Sequence, residues 1–430
     1  AGVLCGVLPA LASGSSKAIG ALRDGGRNAT LSRARHRTRN VLVVTQVALA
    51  FALVIGSGLM VRSFDALRSV DPGFQADGVL TFNVRPLPTK YAGPEPLARF
   101  YDSLIERLEA VPGVTRAGGI NALPLGAGTG NLATVIEEFP PAEGEFPPGF
   151  FIYRATPGYF EAMSIPVVEG RSLTPDDHHN RLGSVIINSS LKERYWPSTS
   201  ALGKRLNISG IRAQVVGVVG DVHTAGLDVE APQVLYLPML DAVGANALMA
   251  VGGMTITVRT SVEPLSVVPA IRAAIAELDA DLPIANVRSM QDVVGTSLSR
   301  SSFMMTLLVI AALIALFLGS IGIYGVLSYI VTTRTAEIGV RSALGASPER
   351  LRRLVLFQGL RLAGVGVLIG VAGAIVLGRV IEAQLYGVEP VDPVTLGAGA
   401  AIFLAVAVLA SLLPAIRAAR TAPVDALRAG

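Results

Sequence analysis

Four stretches of this chain carry no charged residue over lengths that a small soluble core rarely needs: Val41 to Val61, Ser301 to Thr333, Leu362 to Gly378 and Pro393 to Ile416. The first is 21 residues long, about 31 Å as a helix, enough to cross a hydrocarbon core of roughly 30 Å. The second is 33 residues; that exceeds one crossing, so its helix is expected to project beyond the bilayer. Allowing for polar ends, the pattern predicts spans over 41–62, 301–333, 354–381 and 394–416. Val41–Val61 lies too deep in the chain, and runs too long, to be the apolar region of a cleaved signal peptide.

The segment between the first two spans, 63–300, reads differently. "VLTFNV" (79–84) is rich in strand formers. In "GPEPLARFYDSLIERLEAVPGV" (93–114), Leu97, Phe100, Tyr101, Leu104, Ile105 and Leu108 recur at helical spacing, and Pro112-Gly113 stops the run. "VTRAGGIN" (114–121) follows as a strand. The order repeats near the far end: "MTITVRT" (254–260), a helix over 263–279, then "LPIANVR" (282–288). Two β-α-β units of this kind are compatible with one split ferredoxin-like subdomain, 63–121 with 252–300. The stretch between them, 122–251, is expected to be a separate, β-richer insertion. It carries strands at 184–188, 213–222 and 233–238, short helices at 157–165 and 189–197, and a mobile Gly/Pro-rich loop over 122–149.

Charge orients the spans. Arg23, Arg27, Arg33, Arg35, Arg37 and Arg39 precede the first; Arg334, Arg341, Arg350, Arg352, Arg353 and Arg361 lie between the second and third; Arg417, Arg420 and Arg428 follow the fourth. The connection from Glu382 to Asp392 holds three acids and no Lys or Arg. The positive-inside rule therefore puts both termini (1–40 and 417–430) and the 334–353 connection in the cytoplasm, and 63–300 and 382–393 outside. Residues 62–300 hold 19 Lys/Arg against 25 Asp/Glu, net −6, so the remainder carries net +10 of the chain's +4. A sequence pI of 9.3 is thus a product of topology, and nucleic acid is not an expected partner. The mean hydropathy of +0.54 and 16% charged residues point to membrane lipid instead. Cys5 is the one cysteine, which excludes an intramolecular disulfide and a cysteine metal site.

"LPALASGSSKAIGALRDG" (8–25) aligns without gaps to "LPAIRAARTAPVDALRAG" (413–430), with seven identities including Leu8-Pro9-Ala10 against Leu413-Pro414-Ala415. Two readings stand: chance likeness of two basic exit segments, or the end of an earlier copy of the same unit at 1–40. The absence of an initiating Met agrees with the second.

Candidate chemistry is sparse. The chain contains no G-x-x-x-x-G-K-[ST] loop; Gly203-Lys204 is followed by Arg205. "GAGTGN" (126–131) opens no clear helix. In "DDHH" (176–179), adjacent histidines point to different sides of a helix with no third histidine nearby, so a solvated first helical turn is expected, with Thr174 as N-cap and Pro175 at the first position. His223 has no supporting spacing, and no Ser/His/Asp or paired-carboxylate pattern stands out. The spans hold no central acid or histidine of the kind proton coupling uses. Arg361 and Arg379, near opposite ends of the third span, can snorkel. Gly366-x-x-x-Gly370 and Gly322-x-x-Gly325 permit close helix packing. No catalytic, metal or cofactor residue is assigned.

The most pointed feature is "EIGVRSALGASPER" (337–350). Ala336, Val340, Ala343 and Leu344 share one helical face, Glu337 and Arg341 form a favourable i,i+4 pair, and Gly345 stands where a helix C-cap belongs. Ser347-Pro348-Glu349 starts a new helix leading into the third span. A plain interfacial helix is one reading. Its small residues suit docking into a protein groove better.

This stretch, with "LVLFQGLRLAGVGVLIG" after it, resembles the coupling loop and third span of FtsX-like ABC permeases. "TPGYFEAMSIPVVEGRSLTPDD" (156–177), "VIINSSLKERYWP" (185–197) with "LGKRL" (202–206), and "VVGVVGDVHTAGLD" (215–228) resemble the periplasmic core domain of the MacB group. The likeness covers nearly 40–430, and the matching ends resemble acidobacterial-type duplicated permeases. MacB itself fuses an N-terminal ATPase to the permease, and none is visible here. The resemblance implies a membrane α-helical fold with four transmembrane helices plus an α+β periplasmic domain. That domain would have a split ferredoxin-like, porter-like subdomain and an inserted β-rich subdomain, in a bacterial inner membrane. It implies that a partner cytoplasmic ABC ATPase carrying ATP-Mg grips the helix containing Glu337, Ile338, Val340, Arg341, Ala343, Leu344 and Gly345. It further implies a second permease half or protomer, and a periplasmic adaptor or outer-membrane partner if the system exports. The alternative role is FtsX-like signalling to a periplasmic partner without transport. A membrane-tethered enzyme would need catalytic residues that the 63–300 segment does not display.

Overall fold

The computed structural model describes residues 28–126, 129–179, 183–239, 253–344 and 346–419. The chain divides into two compact units, Ala66–Phe303 and Ala1–Asp65 with Met304–Gly430. In chain order the elements are α1 (Asn28–Arg68), β1 (Val79–Val84), α2 (Pro94–Glu109), β2 (Val114–Ile120), β3 (Asn131–Ile136), β4 (Gly149–Ala155), α3 (Tyr159–Met163), β5 (Val167–Gly170), α4 (Pro175–His179), β6 (Ser184–Asn188), α5 (Ser189–Tyr195), β7 (Arg205–Ile208), β8 (Ile211–Val219), β9 (Val234–Pro238), β10 (Met254–Thr260), α6 (Val268–Leu278), β11 (Ile284–Ser289), α7 (Met290–Thr333), α8 (Thr335–Ala343), α9 (Pro348–Ile381) and α10 (Pro393–Ala419).

Four helices are long and apolar enough to cross a membrane: Thr38–Arg68 of α1, α7, α9 with its short extension to Gln384, and α10. At 44 residues, α7 is about 66 Å long, twice the hydrocarbon core. In the unit that holds most of these helices, a core of Val43, Val47, Phe51, Ile55, Leu59, Ile323, Leu327, Val355, Ala363, Val367, Phe403 and Ala407 joins α1, α7, α9 and α10. Close approach comes from small residues. The buried stripe of α9 runs Gly359, Ala363, Gly366, Gly370, Ala374, Gly378, at the three- and four-residue spacing of one helix face. A methyl group on Gly366 would sit 2.3 Å from Val47 Cγ1, and one on Gly370 would sit 2.9 Å from the Ala48 carbonyl. The Gly366-x-x-x-Gly370 motif therefore packs against α1 of the same chain. Gly322 faces Gln46, whereas a methyl on Gly325 would meet nothing.

The other unit is built on one eleven-stranded sheet. At one end the order is β11-β1-β10-β2, every neighbour antiparallel. The helices α2 and α6 cover it: Phe100, Tyr101, Leu104 and Leu108 from α2, with Ile271 and Ile275 from α6, share a core with Leu80, Phe82, Val84, Ile256 and Val258. The α2 spacing read from the sequence produces this face. Arg259 clamps the margin, donating to the carbonyls of Ala162 (2.8 Å), Asp77 (3.2 Å) and Gln75 (3.1 Å).

The middle strands form a ring. Pairings run β4–β3–β7–β8–β6–β9 and return from β9 to β4 in parallel register, Phe151↔Val234 to Ala155↔Pro238. The ring encloses its own core, including Ile136, Phe150, Ile152, Val185, Ile187, Leu191, Trp196, Leu206, Val215 and Leu235. One register pair, Ile120↔Ala155, joins it to the first four strands. Residues 122–149 are not simply a loop: "NLATVI" forms β3, because it can bond β4 on one side and β7 on the other.

"DDHH" also departs from the expected solvated turn. Asp177 is 1% exposed and accepts from Arg171 Nη1 (2.6 Å) and Nη2 (2.8 Å), the Thr174 N–H (2.8 Å), Thr174 Oγ1 (3.0 Å) and Ser184 Oγ (2.5 Å). Burial alone would raise its pKa, but these donors, Arg171 foremost, hold it well below the ordinary carboxylate range. Asp177 is a buried anchor between α4 and β6. The likeness of 8–25 to 413–430 falls mostly on residues outside those described.

Candidate functional site: the helix joining the second and third long spans

A single residue, Arg334, separates α7 from α8. The junction stays bonded: the Arg334 N–H donates to Ile330 O at 3.0 Å and the Ile338 N–H to Arg334 O at 2.9 Å. Thr335 Oγ1 adds bonds to the carbonyls of Val331 (3.1 Å) and Thr332 (2.8 Å). At the other end, the Leu344 N–H donates to Val340 O and the Ala346 N–H to Arg341 O, both at 2.9 Å. Ser347 then caps α9, its side chain accepting from the Arg350 N–H, with Pro348 in the first turn where a missing N–H costs nothing. No long flexible linker separates α8 from either neighbour.

Within α8, Glu337 lies in the first turn and Arg341 in the last, the order that suits the helix dipole. Arg341 Nη2 lies 2.6 Å from Glu337 Oε1, and Arg334 Nε 3.9 Å from Glu337 Oε2. These side chains are about half exposed. Such a pair is worth only about 0.3–0.5 kcal/mol, enough to order a short helix and little more. One apolar residue points in: Ile338, buried in the span core. Two point out, Val340 at 44% and Leu344 at 83% exposure. Ala343 closes α8, and Gly345 lies outside the described residues.

Leu344 borders an open cleft of about 370 Å³, lined also by Arg341, Ala346, Arg350, Leu351 and Leu354. Two arginines thus flank an apolar floor, a surface matched to a protein element with an acidic rim and an apolar tip. The sequence reading located Arg341 and Leu344 but missed Arg350, Leu351 and Leu354. Their signal was present, since Leu351 and Leu354 are three apart on the helix that Ser347 starts.

The opposite end of the spans is tied as well. Arg62 of α1 pairs with Asp392, which caps α10 by accepting from the Thr395 N–H at 2.7 Å. The Tyr386 N–H donates to Ser63 Oγ at 2.7 Å. Of the other sequence candidates, His223 is engaged structurally, its Nδ1 lying 2.7 Å from Val229 O.

These features define a membrane protein with four long apolar helices, a large β-rich domain between the first two, and a short exposed helix between the second and third. The MacB-like periplasmic core domain family matches residues 19–278, and the FtsX-like permease C-terminal family matches 309–423. The chain belongs to this MacB/FtsX-like family of ABC transporter permeases. An uncharacterised ABC transporter permease of Bacillus subtilis (strain 168), YvrN, is 28% identical over 64% of this chain and 69% of its own length. The macrolide export ATP-binding/permease protein MacB of Marinobacter nauticus is 27% identical over 62% of this chain. The chain spans only 41% of that relative's length. Among solved structures, the periplasmic region of MacB from Actinobacillus actinomycetemcomitans covers 52% of this chain and 94% of that one at 15% identity, TM-score 0.35.

Proposed function

We propose that this chain is a permease subunit that couples ATP hydrolysis by a separate cytoplasmic ATPase to movement of its periplasmic domain, in the manner of export or mechanotransmission. The observation that carries the reading is α8 itself: bonded directly to α7, one turn from α9, held to the bundle by Ile338, yet presenting Val340, Arg341 and Leu344 outward beside an arginine-flanked cleft. A partner that binds there can push on two spans at once. ATP and Mg²⁺ would sit on the partner, since the sequence has no Walker loop. The arginine distribution supports a cytoplasmic position for α8 in a bacterial inner membrane.

In the periplasmic domain, the antiparallel order β11-β1-β10-β2 with α2 and α6 supports a split ferredoxin-like, porter-like part. The six-stranded ring is then the inserted part. A second permease half or protomer would complete the unit, with a periplasmic adaptor or outer-membrane protein where the system exports. The test is Arg341→Glu, which reverses the charge beside the cleft in a half-exposed position. ATPase activity in the reconstituted complex should become uncoupled from periplasmic movement while the protein stays folded; unchanged coupling overturns the reading.

The FtsX-like match over 309–423 favours a second role, signalling to a periplasmic hydrolase without transport. Co-purification with an outer-membrane channel or adaptor supports export, and co-purification with a cell-wall hydrolase supports signalling.

A further inference from the structure

A second cleft, of about 340 Å³, lies along the membrane-spanning helices α7 and α10. It is lined by Ser320, Ile321 and Tyr324 from α7 and Val406, Leu409 and Ala410 from α10. Its walls are mostly apolar. Ser320 gives its hydroxyl proton to the Phe317 carbonyl at 2.7 Å, which leaves little polarity toward the groove. Leu409 is 65% and Ile321 49% exposed, so the groove opens away from the bundle core, where a membrane protein meets acyl chains.

One end of the groove is not apolar. Arg417 Nη1 donates to the Tyr324 hydroxyl at 3.0 Å. The guanidinium is exposed and reaches back along α10 to the phenol. A lone arginine near a helix end ordinarily extends toward water. Here one of its five N–H groups is spent on Tyr324, which fixes the cation over the groove. The phenol oxygen accepts from Arg417, so its own proton remains to be donated. Pro414, inside α10, has no N–H to give the Ala410 carbonyl, one of the groove's residues. That helix turn is loosened where the apolar floor meets the cation.

We propose that this groove binds one anionic phospholipid. An acyl chain lies against Ile321, Val406 and Leu409, and a phosphate oxygen sits between the Arg417 guanidinium and the Tyr324 hydroxyl. The charge argument selects the headgroup: a fixed cation beside an apolar slot within a span matches a diester phosphate without a counter-charge, and gains less from a zwitterion. The inference rests on the membrane-embedded character of α7 and α10, and holds whichever way α8 is coupled.

The experiment uses the chain in nanodiscs of equal phosphatidylglycerol and phosphatidylcholine, released gently and analysed by native mass spectrometry for retained lipid. The wild type should retain phosphatidylglycerol over phosphatidylcholine. Arg417→Gln should reduce that preference about fivefold, the worth of one near-surface cation, while Arg417→Lys preserves most of it. Leu409→Trp, which fills the groove, should lower retention of both lipids. Equal retention of the two lipids by the wild type, or an unchanged preference in Arg417→Gln, overturns the proposal. So does a disulfide-linked dimer formed by Leu409→Cys in a Cys5→Ser background, because a second copy would then occupy the groove.

Discussion

Arg62 and Asp392 form an ion pair between α1 and the first residue before α10, more than 300 positions apart in sequence. The same Asp392 oxygen accepts the Thr395 hydroxyl and N–H. One carboxylate therefore caps a span and ties it to another. The Thr395 hydroxyl bond is the largest influence, and with the Thr395 N–H and Arg62 it outweighs burial to bring the Asp392 pKa down to about 2. A folded-state pKa below the unfolded value gives stability that is present above about pH 4 and lost as pH falls toward 2.

Asp392→Ala should therefore lower the stability of the span bundle by about 1 kcal/mol at neutral pH, the usual worth of an N-cap. Thermal unfolding in detergent at pH 7, 5 and 3 checks this. The gap between wild type and variant should stay constant from pH 7 to 5 and narrow by pH 3.

Gly366→Leu should destabilise the bundle by about 1–3 kcal/mol, because its Cβ would overlap Val47. Val47→Ala should recover part of that loss in the double variant. Gly325→Ala, which meets nothing, should be neutral or slightly stabilising. Melting temperatures of the four proteins separate a packing role from a generic intolerance of side chains in glycine-rich spans.

Asp177→Asn should cost about 2 kcal/mol in the β-rich unit, since an amide cannot satisfy five donors as an acceptor. Arg171 is 44% exposed, so the orphaned cation finds water and the loss stays below that of a fully buried pair. The carboxyl is held below its ordinary pKa, so the wild-type advantage is present above about pH 4 and declines below it. Urea unfolding followed by the fluorescence of Trp196 at pH 7 and pH 3 reports the difference.

The elements that local pattern determines were legible. β1, β6 and β10 occupy the strands read from alternating and β-branched runs, and the four long apolar helices follow from composition. The ring was not legible, because β4 pairs with β9 across some eighty residues and nothing in either strand marks the other. β3 was missed because Gly126, Gly130 and Pro140 crowd around six residues whose partners lie elsewhere. Asp177 was misread because a Thr-x-x-Asp start looks the same whether the acid meets water or an arginine six residues back. At the exposed helix, periodicity put Val340 and Leu344 together, and only packing reveals that Ile338 is the residue buried in the bundle.

The central claim is that α8 contacts an ATPase. A photo-crosslinking amino acid at Leu344, the most exposed apolar position beside the cleft, tests it in cells, with the same group at Phe146 of the β-rich unit, 94% exposed, as the control. The account predicts that Leu344 yields an adduct that mass spectrometry identifies as an ABC ATPase and that Phe146 yields none. An ATPase adduct absent from Leu344, or formed equally at Phe146, would contradict it.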